Sequence, residues 1–302
     1  MTQSYFITEN DFCQDIFKKL IPKQNLKIGN FPTIEKAVKL AGKQDNYIIN
    51  LRNCGTLLGL DETGRIKRSN FCKSRICPVC QWKKSINTFS KNMRIVEHIG
   101  ENRDYIMITL TVENCALGEL RKTLENMSYA FKKMHQLKSW KNAYEGYVKT
   151  MEVTFNDEMQ TFHPHMHIIC LTREGYFDKD EGIYISQKNL REMWNRYFNQ
   201  NHMIVDVRKV RARDKEGIAG AVAEISKYAL KMSKAFQNDN EAVIAELITA
   251  TDGVRMTSTG GRIKDVAKEL KIDLETDDYN EDIGSERITY YEFQNGKYVK
   301  KG

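Results

Sequence analysis

The sequence lacks the features that would direct the protein to a membrane or to export. Met1 to Leu20 carries several charges and no apolar core, so it does not resemble a signal peptide, and no apolar run is long enough to span a membrane. The cysteines number seven, an odd count that argues for reduced thiols rather than a disulfide framework. Internal repeats and low-complexity segments are also missing. These absences predict a cytoplasmic protein without a membrane partner.

Acidic residues are absent from Thr63 to Val96, although that stretch holds nine lysines and arginines. The chain as a whole has a formal net charge of +7 over 302 residues. Such a basic block favours a polyanionic partner, most simply nucleic acid, with a solvated basic face as the alternative. An aromatic side chain within the block could stack on a single strand. The residues predicted to contact DNA are Arg65, Lys67, Arg68, Lys73, Arg75, Trp82, Lys83 and Lys84.

Hydrophobic patterning predicts strands over 105–112, 146–155, 162–171 and 202–210, interleaved with helices over 117–134, after Ser186 and over 217–236. This order predicts an α+β fold with a mainly antiparallel β-sheet, flanking helices and a cysteine-rich, zinc-binding element. Four segments follow from it. They are an accessory N-terminal segment (1–50), a basic cysteine-rich element (51–98), a core (99–237) and a C-terminal elaboration (238–302).

Half of the six histidines lie in the run His163-Pro-His-Met-His167. In an extended strand His165 and His167 point to one face, which suits a two-point clamp for a divalent metal. Glu152, on the strand predicted to pair with this one, would complete a His-His-Glu set for Mg²⁺ or Mn²⁺ with positions left for water and phosphate. His163 is predicted to be a further ligand, a phosphate contact or a strand-edge residue. A solvent-exposed polar strand face is the alternative.

Three polar residues follow one stripe of the helix predicted over 217–236. Glu224, Tyr228 and Lys231 are spaced i, i+4 and i+7. A phenol is a weak nucleophile near neutral pH because its pKa is about 10, and a nearby metal that polarises a phosphate changes that balance. Lys231 would then steady the developing charge, and Glu224 would take a proton from the tyrosine or from water. Taken alone, the trio is equally typical of a helix surface.

Four of the seven cysteines form a separate pattern. Cys72, Cys77 and Cys80 follow a C-x4-C-x2-C spacing that includes a Cys-Pro-Val-Cys knuckle, and Cys54 lies upstream. Four thiolates make a closed, structural zinc site. Free cysteines, or a redox-active pair at Cys77 and Cys80, are the alternatives.

The order of these motifs resembles that of the HUH endonucleases. Ile108-Thr-Leu-Thr111, His165-Met-His167 and Tyr228-Ala-Leu-Lys231 match the hydrophobic-Thr strand, the His-hydrophobic-His strand and the tyrosine helix of that superfamily. The cysteine segment Phe71–Trp82 and the stretch Glu224-Ile-Ser-Lys-Tyr228 are similar to those of single-tyrosine rolling-circle replication initiators of small bacterial plasmids. The resemblance extends from about Cys54 to Lys231.

The resemblance implies a chemistry for these residues. Tyr228 would attack a phosphodiester at the replication origin, forming a 5′-phosphotyrosine and leaving a 3′-OH primer. His165, His167 and Glu152 would hold Mg²⁺ or Mn²⁺, and Glu224 would activate the water that ends the cycle. The implied partners are single-stranded DNA, the plasmid double-strand origin, and a host helicase and polymerase, with room left for a homodimer.

Two other functions compete with a plasmid initiator. A single-tyrosine transposase or relaxase would use the same chemistry in another role. A non-catalytic, zinc-containing DNA-binding regulator would bind DNA and form no covalent adduct.

Overall fold

The computed structural model describes residues 9–198, 203–211, 214–227, 230, 240–274 and 287–301. Within these ranges no helix is both long and apolar enough to cross a membrane. The chain forms two compact units. Unit 1 comprises Met1–Lys84, Asn238–Ala245 and Asp277–Gly302, and unit 2 comprises Ser85–Gln237 and Glu246–Thr276. The four segments named from the sequence stay a prediction.

The described elements follow one another along the chain in this order: α1 (Glu9–Gly29), α2 (Phe31–Leu40), α3 (Asp45–Asn53), β1 (Leu57–Leu60), β2 (Ile66–Ser69), α4 (Pro78–Ile99), β3 (Asp104–Thr111), β4 (Cys115–Ala116), α5 (Leu120–Met134), α6 (Lys138–Ala143), β5 (Tyr144–Asn156), β6 (Thr161–Thr172), α7 (Gln187–Asn195), β7 (Val205–Arg211), α8 (Lys215–Ile225), α9 (Glu241–Thr251), β8 (Thr257–Gly260), α10 (Gly261–Glu269), β9 (Thr289–Gln294) and β10 (Lys297–Lys300).

Unit 1 contains a small antiparallel sheet with strand order β10-β9-β1-β2. The last two strands of the chain form a hairpin whose turn residues, Asn295 and Gly296, both have positive φ angles of 49° and 80°. Two central residues with positive φ make the turn type whose twist matches that of paired strands, and Asn-Gly is its preferred sequence. The Asn-Gly sequence at 295–296 therefore suits the tight turn of this hairpin.

Unit 2 is built on a larger antiparallel sheet with strand order β7-β3-β6-β5-β8, and β4 pairs with β6 beside it. The two longest strands, β5 and β6, are joined by a turn over residues 157–160. One face of the sheet packs on α8 and α10 through a buried apolar cluster that includes Val148, Ile169 and Ile225. The other face meets α5, where the ring of Phe131 contacts that of Tyr147 edge-on at 5.0 Å. The predicted α+β class with antiparallel sheets and flanking helices is confirmed.

The helix predicted over 217–236 is shorter in the structure. α8 ends at Ile225, and the amide of Ser226 donates to the carbonyls of both Val222 and Ala223 while that of Lys227 donates to Glu224, which tightens the last turn. Leu230 then forms a parallel β-bridge with a residue of β5. A residue in a β-bridge leaves the helical path, so the helix predicted over 217–236 does not continue through position 230, whereas positions 228 and 231 lie outside the described residues.

Candidate functional site

The pairing of β5 with β6 brings one glutamate and two histidines together. Glu152 lies directly opposite His165, and Thr150 directly opposite His167. Residues that face each other in this way have Cβ atoms about 4.5–5.5 Å apart on the same side of the sheet. Because side chains alternate along a strand, His165 and His167 share that side while Met166 is fully buried on the other. Glu152, His165 and His167 are called the His–Glu cluster below.

The ligand atoms of the His–Glu cluster converge on one small space. Nε2 of His165 lies 3.3 Å from Oε2 of Glu152, and Nε2 of His167 lies 3.6 Å from the same oxygen. The three groups offer ligand atoms within 4.8 Å of one another, close enough to share one metal ion. The side chain of Glu152 is 2% exposed, whereas that of His165 is 12% exposed. The buried carboxylate therefore forms the base of the cluster, and the imidazoles form its rim.

Contacts on the far side of each imidazole orient the Nε2 atoms. Nδ1 of His165 lies 3.4 Å from the carbonyl oxygen of His163, which can only accept, so Nδ1 carries the proton. Nδ1 of His167 shares a 3.1 Å hydrogen bond with Oγ1 of Thr109. Metal-binding histidines are commonly oriented by such a partner on the other ring nitrogen. Thr109 was not singled out as a site residue, although the Ile-Thr-Leu-Thr motif contains it.

The donor set fits a divalent cation. With the proton on Nδ1, Nε2 of His165 is a hydrogen-bond acceptor, and so is the Glu152 oxygen that lies 3.3 Å from it. Two acceptors at this distance need a cation or a further proton between them. Nε2 of His167 is buried and makes no hydrogen bond with the described part of the chain. Buried polar atoms are nearly always partnered, so an atom of this kind indicates a missing ligand. Two imidazoles and a carboxylate are common ligands of divalent metals.

His163 lies outside this convergence. It pairs with Thr154, two positions closer to the hairpin turn than His165, and the centroids of the two imidazole rings are 5.4 Å apart. Among the described residues it is not part of the group that could share one ion. Its backbone carbonyl accepts a hydrogen bond from Nδ1 of His165.

A second carboxylate reaches the cluster from α8. Oε1 of Glu224 lies 3.7 Å from Nε2 of His167, and the other carboxylate oxygen forms an ion pair with Nζ of Lys227. The Glu224 side chain is 31% exposed, in contrast to the buried Glu152. The arrangement thus combines a buried carboxylate suited to metal binding with a solvent-accessible carboxylate able to accept a proton.

Tyr228 and Lys231 lie outside the described residues. Leu230, which the structure does describe, is fully buried and forms its β-bridge with Val153. Val153 directly follows Glu152 in β5. The backbone two residues after Tyr228 in sequence therefore lies beside the strand that carries Glu152.

The four predicted zinc ligands also come together, within unit 1. Sγ of Cys54 lies 3.4 Å from that of Cys80 and 3.5 Å from that of Cys77, and Sγ of Cys72 lies 3.6 Å from that of Cys80. Tetrahedral zinc with bonds of about 2.3 Å places its sulfur ligands about 3.8 Å apart. The spacing is therefore close to that of a four-thiolate metal site. These residues are called the cysteine cluster below.

Hydrogen bonds from backbone amides and thiols stabilise negative charge on sulfur atoms of the cysteine cluster. The amide of Cys72 donates to Sγ of Cys54 at 3.3 Å, and that of Lys73 donates to Sγ of Cys80 at 3.2 Å. Burial raises the pKa of the Cys77 thiol, but hydrogen bonds from the other three thiols outweigh it and hold that pKa well below its ordinary value. The Cys77 sulfur is therefore prepared to carry thiolate, the form that binds metals, whereas hydrogen bonds with Cys54 and Cys77 raise the pKa of Cys72 and of Cys80.

Residues far away in sequence hold the loop that carries Cys54. Nζ of Lys27 donates to the Cys54 carbonyl at 2.7 Å, and Nε2 of Gln24 donates to the same oxygen at 3.0 Å. The hydroxyl of Tyr298 donates to the Gly55 carbonyl at 2.7 Å. Lys27 and Gln24 are almost fully buried. No sequence signal marks these residues, because their partners lie as many as 243 positions away.

The residues predicted to contact DNA differ in exposure. Arg65 and Lys73 are exposed, whereas Lys67 is buried and forms a 3.7 Å ion pair with Asp61. Trp82 is only 7% exposed, so it does not offer a ring face for stacking, contrary to expectation. The others are half-buried: Arg68, Arg75, Lys83 and Lys84.

Comparison with known proteins gives consistent matches. A family model described as "Replication protein" matches residues 63–299. A "Protein rep" from Bacillus amyloliquefaciens is 34% identical over 236 residues, which cover 70% of this chain and 68% of that protein. A "Protein rep" from Lentilactobacillus hilgardii is 30% identical over 270 residues, covering 85% and 84%, respectively. One from Streptococcus pneumoniae is 28% identical over 242 residues, covering 78% and 75%.

No solved structure matches the chain significantly. The family model covers well over half of the 302 residues, including the His–Glu cluster, Glu224 and three of the four residues of the cysteine cluster, since Cys54 precedes the matched range. The match confirms the resemblance to plasmid replication initiators on which the sequence assignment rests. The chain therefore belongs to the replication protein family.

Proposed function

We propose that this protein initiates rolling-circle replication of a plasmid by nicking and joining one DNA strand at the origin. The observation that carries the proposal is the His–Glu cluster with Glu224 beside it. Three potential ligands share one face of the sheet, and a second, more exposed carboxylate lies 3.7 Å from His167. A regulator that only binds DNA has no use for such a cluster. Single-stranded DNA and the double-strand origin are the proposed substrates, with a host helicase and polymerase acting afterwards.

Glu152, His165 and His167 would hold Mg²⁺ or Mn²⁺. When bound, such an ion polarises a phosphate and stabilises charge on the leaving oxygen. Thr109 and the His163 carbonyl orient the two imidazoles toward that position. Because both contacts come from neighbouring backbone or strand positions, the ligand geometry is set before DNA arrives.

Tyr228 is the proposed nucleophile. Its hydroxyl oxygen would form a bond to phosphorus as the bond from phosphorus to the 3′-oxygen breaks. The tyrosine proton would pass to water, and the leaving 3′-oxygen would take up a proton from water. The products are a 5′-phosphotyrosine and a free 3′-OH. Lys231 would offset charge near the tyrosine. The support for this assignment is the sequence order of the motifs and the position of Leu230 beside β5.

Glu224 is the proposed base of the terminating step. It would take a proton from water as the water oxygen bonds to phosphorus and the bond to Tyr228 breaks, which returns the free tyrosine. The partial exposure of the Glu224 side chain supports this role because water can reach it. Its ion pair with Lys227 holds the carboxylate in place beside His167.

The cysteine cluster is proposed to bind structural zinc, and the basic residues of unit 1 are proposed to contact DNA. The short distances among four sulfur atoms and the amides that donate to them support zinc. Exposed Arg65 and Lys73 are the best placed of the predicted DNA contacts. Lys67 is the least suited, because it is buried against Asp61.

An adduct assay tests the proposed function. The protein is incubated with Mn²⁺ and single-stranded oligonucleotides that tile its own replicon, and protein–DNA adducts are separated on denaturing gels. We expect one tile to form an adduct that disappears in Tyr228→Phe while DNA binding is retained. Binding to a tile without an adduct on any tile would favour a non-catalytic regulator. An adduct that persists in Tyr228→Phe would move the nucleophile elsewhere, for example to Tyr197.

A further inference from the structure

A groove extends from the His–Glu cluster along the surface of unit 2. It runs between α8 and the edge strand β7, and its volume is about 360 Å³. His167 and Glu224 line one part of it, so it is continuous with the candidate site. The volume falls within the range of about 300–1,000 Å³ that is usual for small-ligand pockets. This space is called the α8 groove below.

One wall of the α8 groove is a helix face that lacks large side chains. The lining residues Gly217, Gly220, Ala221 and Glu224 are spaced as successive positions on one side of a helix. A Cβ atom added at Gly220 would meet nothing within 4 Å, whereas one at Gly217 would collide with the capping side chain of Asp214. The width of the groove at Gly220 is therefore set by the missing side chain and not by internal packing.

The floor and the opposite wall have complementary chemistry. Thr109 of β3 pairs with His167 of β6 on one side and with Asp206 of β7 on the other. These three residues form a row across the sheet from the His–Glu cluster to the edge strand. In the neighbouring row Met107 is paired with Arg208. Met107 gives the floor an apolar, polarisable surface. The Arg208 side chain is 76% exposed, and its Nε donates to Asp206 at 2.8 Å, which leaves other guanidinium N–H groups for an anion.

We infer that the α8 groove binds the nucleotide next to the scissile phosphate. Its base would lie on Met107 against the bare backbone at Gly220, and its phosphate would face Arg208. This inference rests on the proposed nicking function and adds a subsite to it. The groove adjoins His167, so a strand whose phosphodiester lies at the His–Glu cluster must continue either into it or away from it. The groove offers that strand an apolar floor together with a cation.

Substitution at Gly220 combined with abasic DNA tests the inference. Oligonucleotides that carry the nick site are made with one base removed at each of the three positions on either side. With the wild-type protein we expect one position adjacent to the nick to lose roughly 10- to 100-fold in cleavage, the usual effect of losing one stacked base. Gly220→Leu should lower cleavage of the intact strand by a similar factor and should be insensitive to that abasic position. Gly220→Ala should give a smaller loss.

Ala223→Leu is the matched control. Ala223 is exposed on α8 and does not line the groove, so this variant should keep wild-type cleavage and the wild-type abasic profile. Leucine also has a higher helix propensity than glycine, so Gly220→Leu should not lower the melting temperature.

The outcomes separate the two proposals. If wild-type protein forms the adduct but Gly220→Leu cleaves like wild type, the groove assignment is wrong and the nickase stands. An abasic profile without a sensitive position beside the nick overturns the groove on wild-type data alone, whatever the stability of the variant. If wild-type protein forms no adduct on any strand, the proposed function itself fails.

Discussion

The cysteine cluster of unit 1 and the His–Glu cluster of unit 2 are built on opposite principles. The first surrounds its centre with four sulfur atoms, three of them fully buried, and secures them with backbone amides. The second has three ligands, of which only Glu152 is almost completely buried, and it adjoins a groove and a half-exposed carboxylate. A closed set of four ligands is typical of a structural metal, whereas an incomplete set leaves positions for substrate.

The two clusters also differ in the structural elements that hold their ligands in place. The His–Glu cluster lies on paired strands, so the sheet positions its ligands whether or not a metal is bound. The Cys54 loop is instead held by buried groups from α1 and β10, namely Lys27, Gln24 and Tyr298. We therefore expect that metal removal from unit 1 changes stability, and that metal removal from unit 2 changes activity.

The largest expected effect is on the stability of unit 1. Cys80→Ser removes a sulfur atom that lies within 3.6 Å of two others, and it should cost about 5 kcal/mol or more of unfolding free energy, because metal binding and folding are coupled at such sites. Thermal unfolding together with zinc content by mass spectrometry measures this. Cys115→Ser is the control, since this buried cysteine belongs to neither cluster. Unchanged zinc content in Cys80→Ser would contradict the assignment.

The next effect is on the chemistry of unit 2. His167→Ala should lower the nicking rate about a thousandfold, or about 4 kcal/mol of transition-state stabilisation, through weakened metal binding. The melting temperature should change little. His163→Ala is the matched control, because it removes an imidazole from the same face of the same strand outside the group that could share an ion. Equal losses in the two variants would show that the ligand set has been assigned incorrectly.

A smaller effect should separate the two carboxylates near His167. Glu224→Gln should spare the first nick and slow release of the protein from DNA about 100-fold, the lower end of what general-base assistance contributes. Glu152→Gln should impair both steps. Adduct formation and adduct hydrolysis are followed separately on a synthetic strand. Normal hydrolysis in Glu224→Gln would remove this residue from the terminating step.

The smallest effect concerns Lys149, which lies on the face of β5 opposite to Glu152. Burial, aided by the charge of Arg255, lowers the pKa of Lys149 to about 8. Below pH 8 the folded state carries the buried charge of Lys149, which lowers the free energy of unfolding. This loss of stability disappears as the pH rises from about 8 to 10.5, where the unfolded chain also loses the proton. Lys149→Met should therefore stabilise the protein at pH 7 by on the order of 2 kcal/mol, and the gain should vanish near pH 10.5.

Denaturant unfolding between pH 7 and pH 10.5 measures this difference between Lys149→Met and wild type. Nicking should be unaffected, since Lys149 and Glu152 face opposite sides of the sheet. A gain independent of pH would show that the charge is not the cause. A loss of nicking would show that the two faces of the sheet in unit 2 are energetically coupled.

Local patterns predicted most of the site. The alternation of His165, Met166 and His167 predicted a strand and its two faces, and the predicted pairing of this strand with the one over 146–155 placed Glu152 beside it. The Cys-Pro-Val-Cys knuckle likewise predicted two of the four converging sulfurs. These inferences hold because strand alternation and short turns depend on neighbours in sequence.

The failures all depend on distant contacts. The end of α8 is accompanied by the pairing of Leu230 with β5, which helical spacing alone cannot reveal. Trp82 was expected to stack on DNA because it is an aromatic residue within a basic stretch, yet its side chain is buried. The groups that hold the Cys54 loop come from both ends of the chain. Tertiary packing decides each of these features, and no local pattern records it.

Insertions and deletions should act on this protein according to where they fall. A residue gained or lost in the turn over residues 157–160 changes only the loop between β5 and β6. A residue gained between His167 and Ile169, unless a bulge absorbs it, turns both imidazoles toward the apolar face that holds Met166. A relative could thus keep every ligand residue and still lose the His–Glu cluster. Among such relatives, the length of this strand segment is as diagnostic as the identity of its histidines.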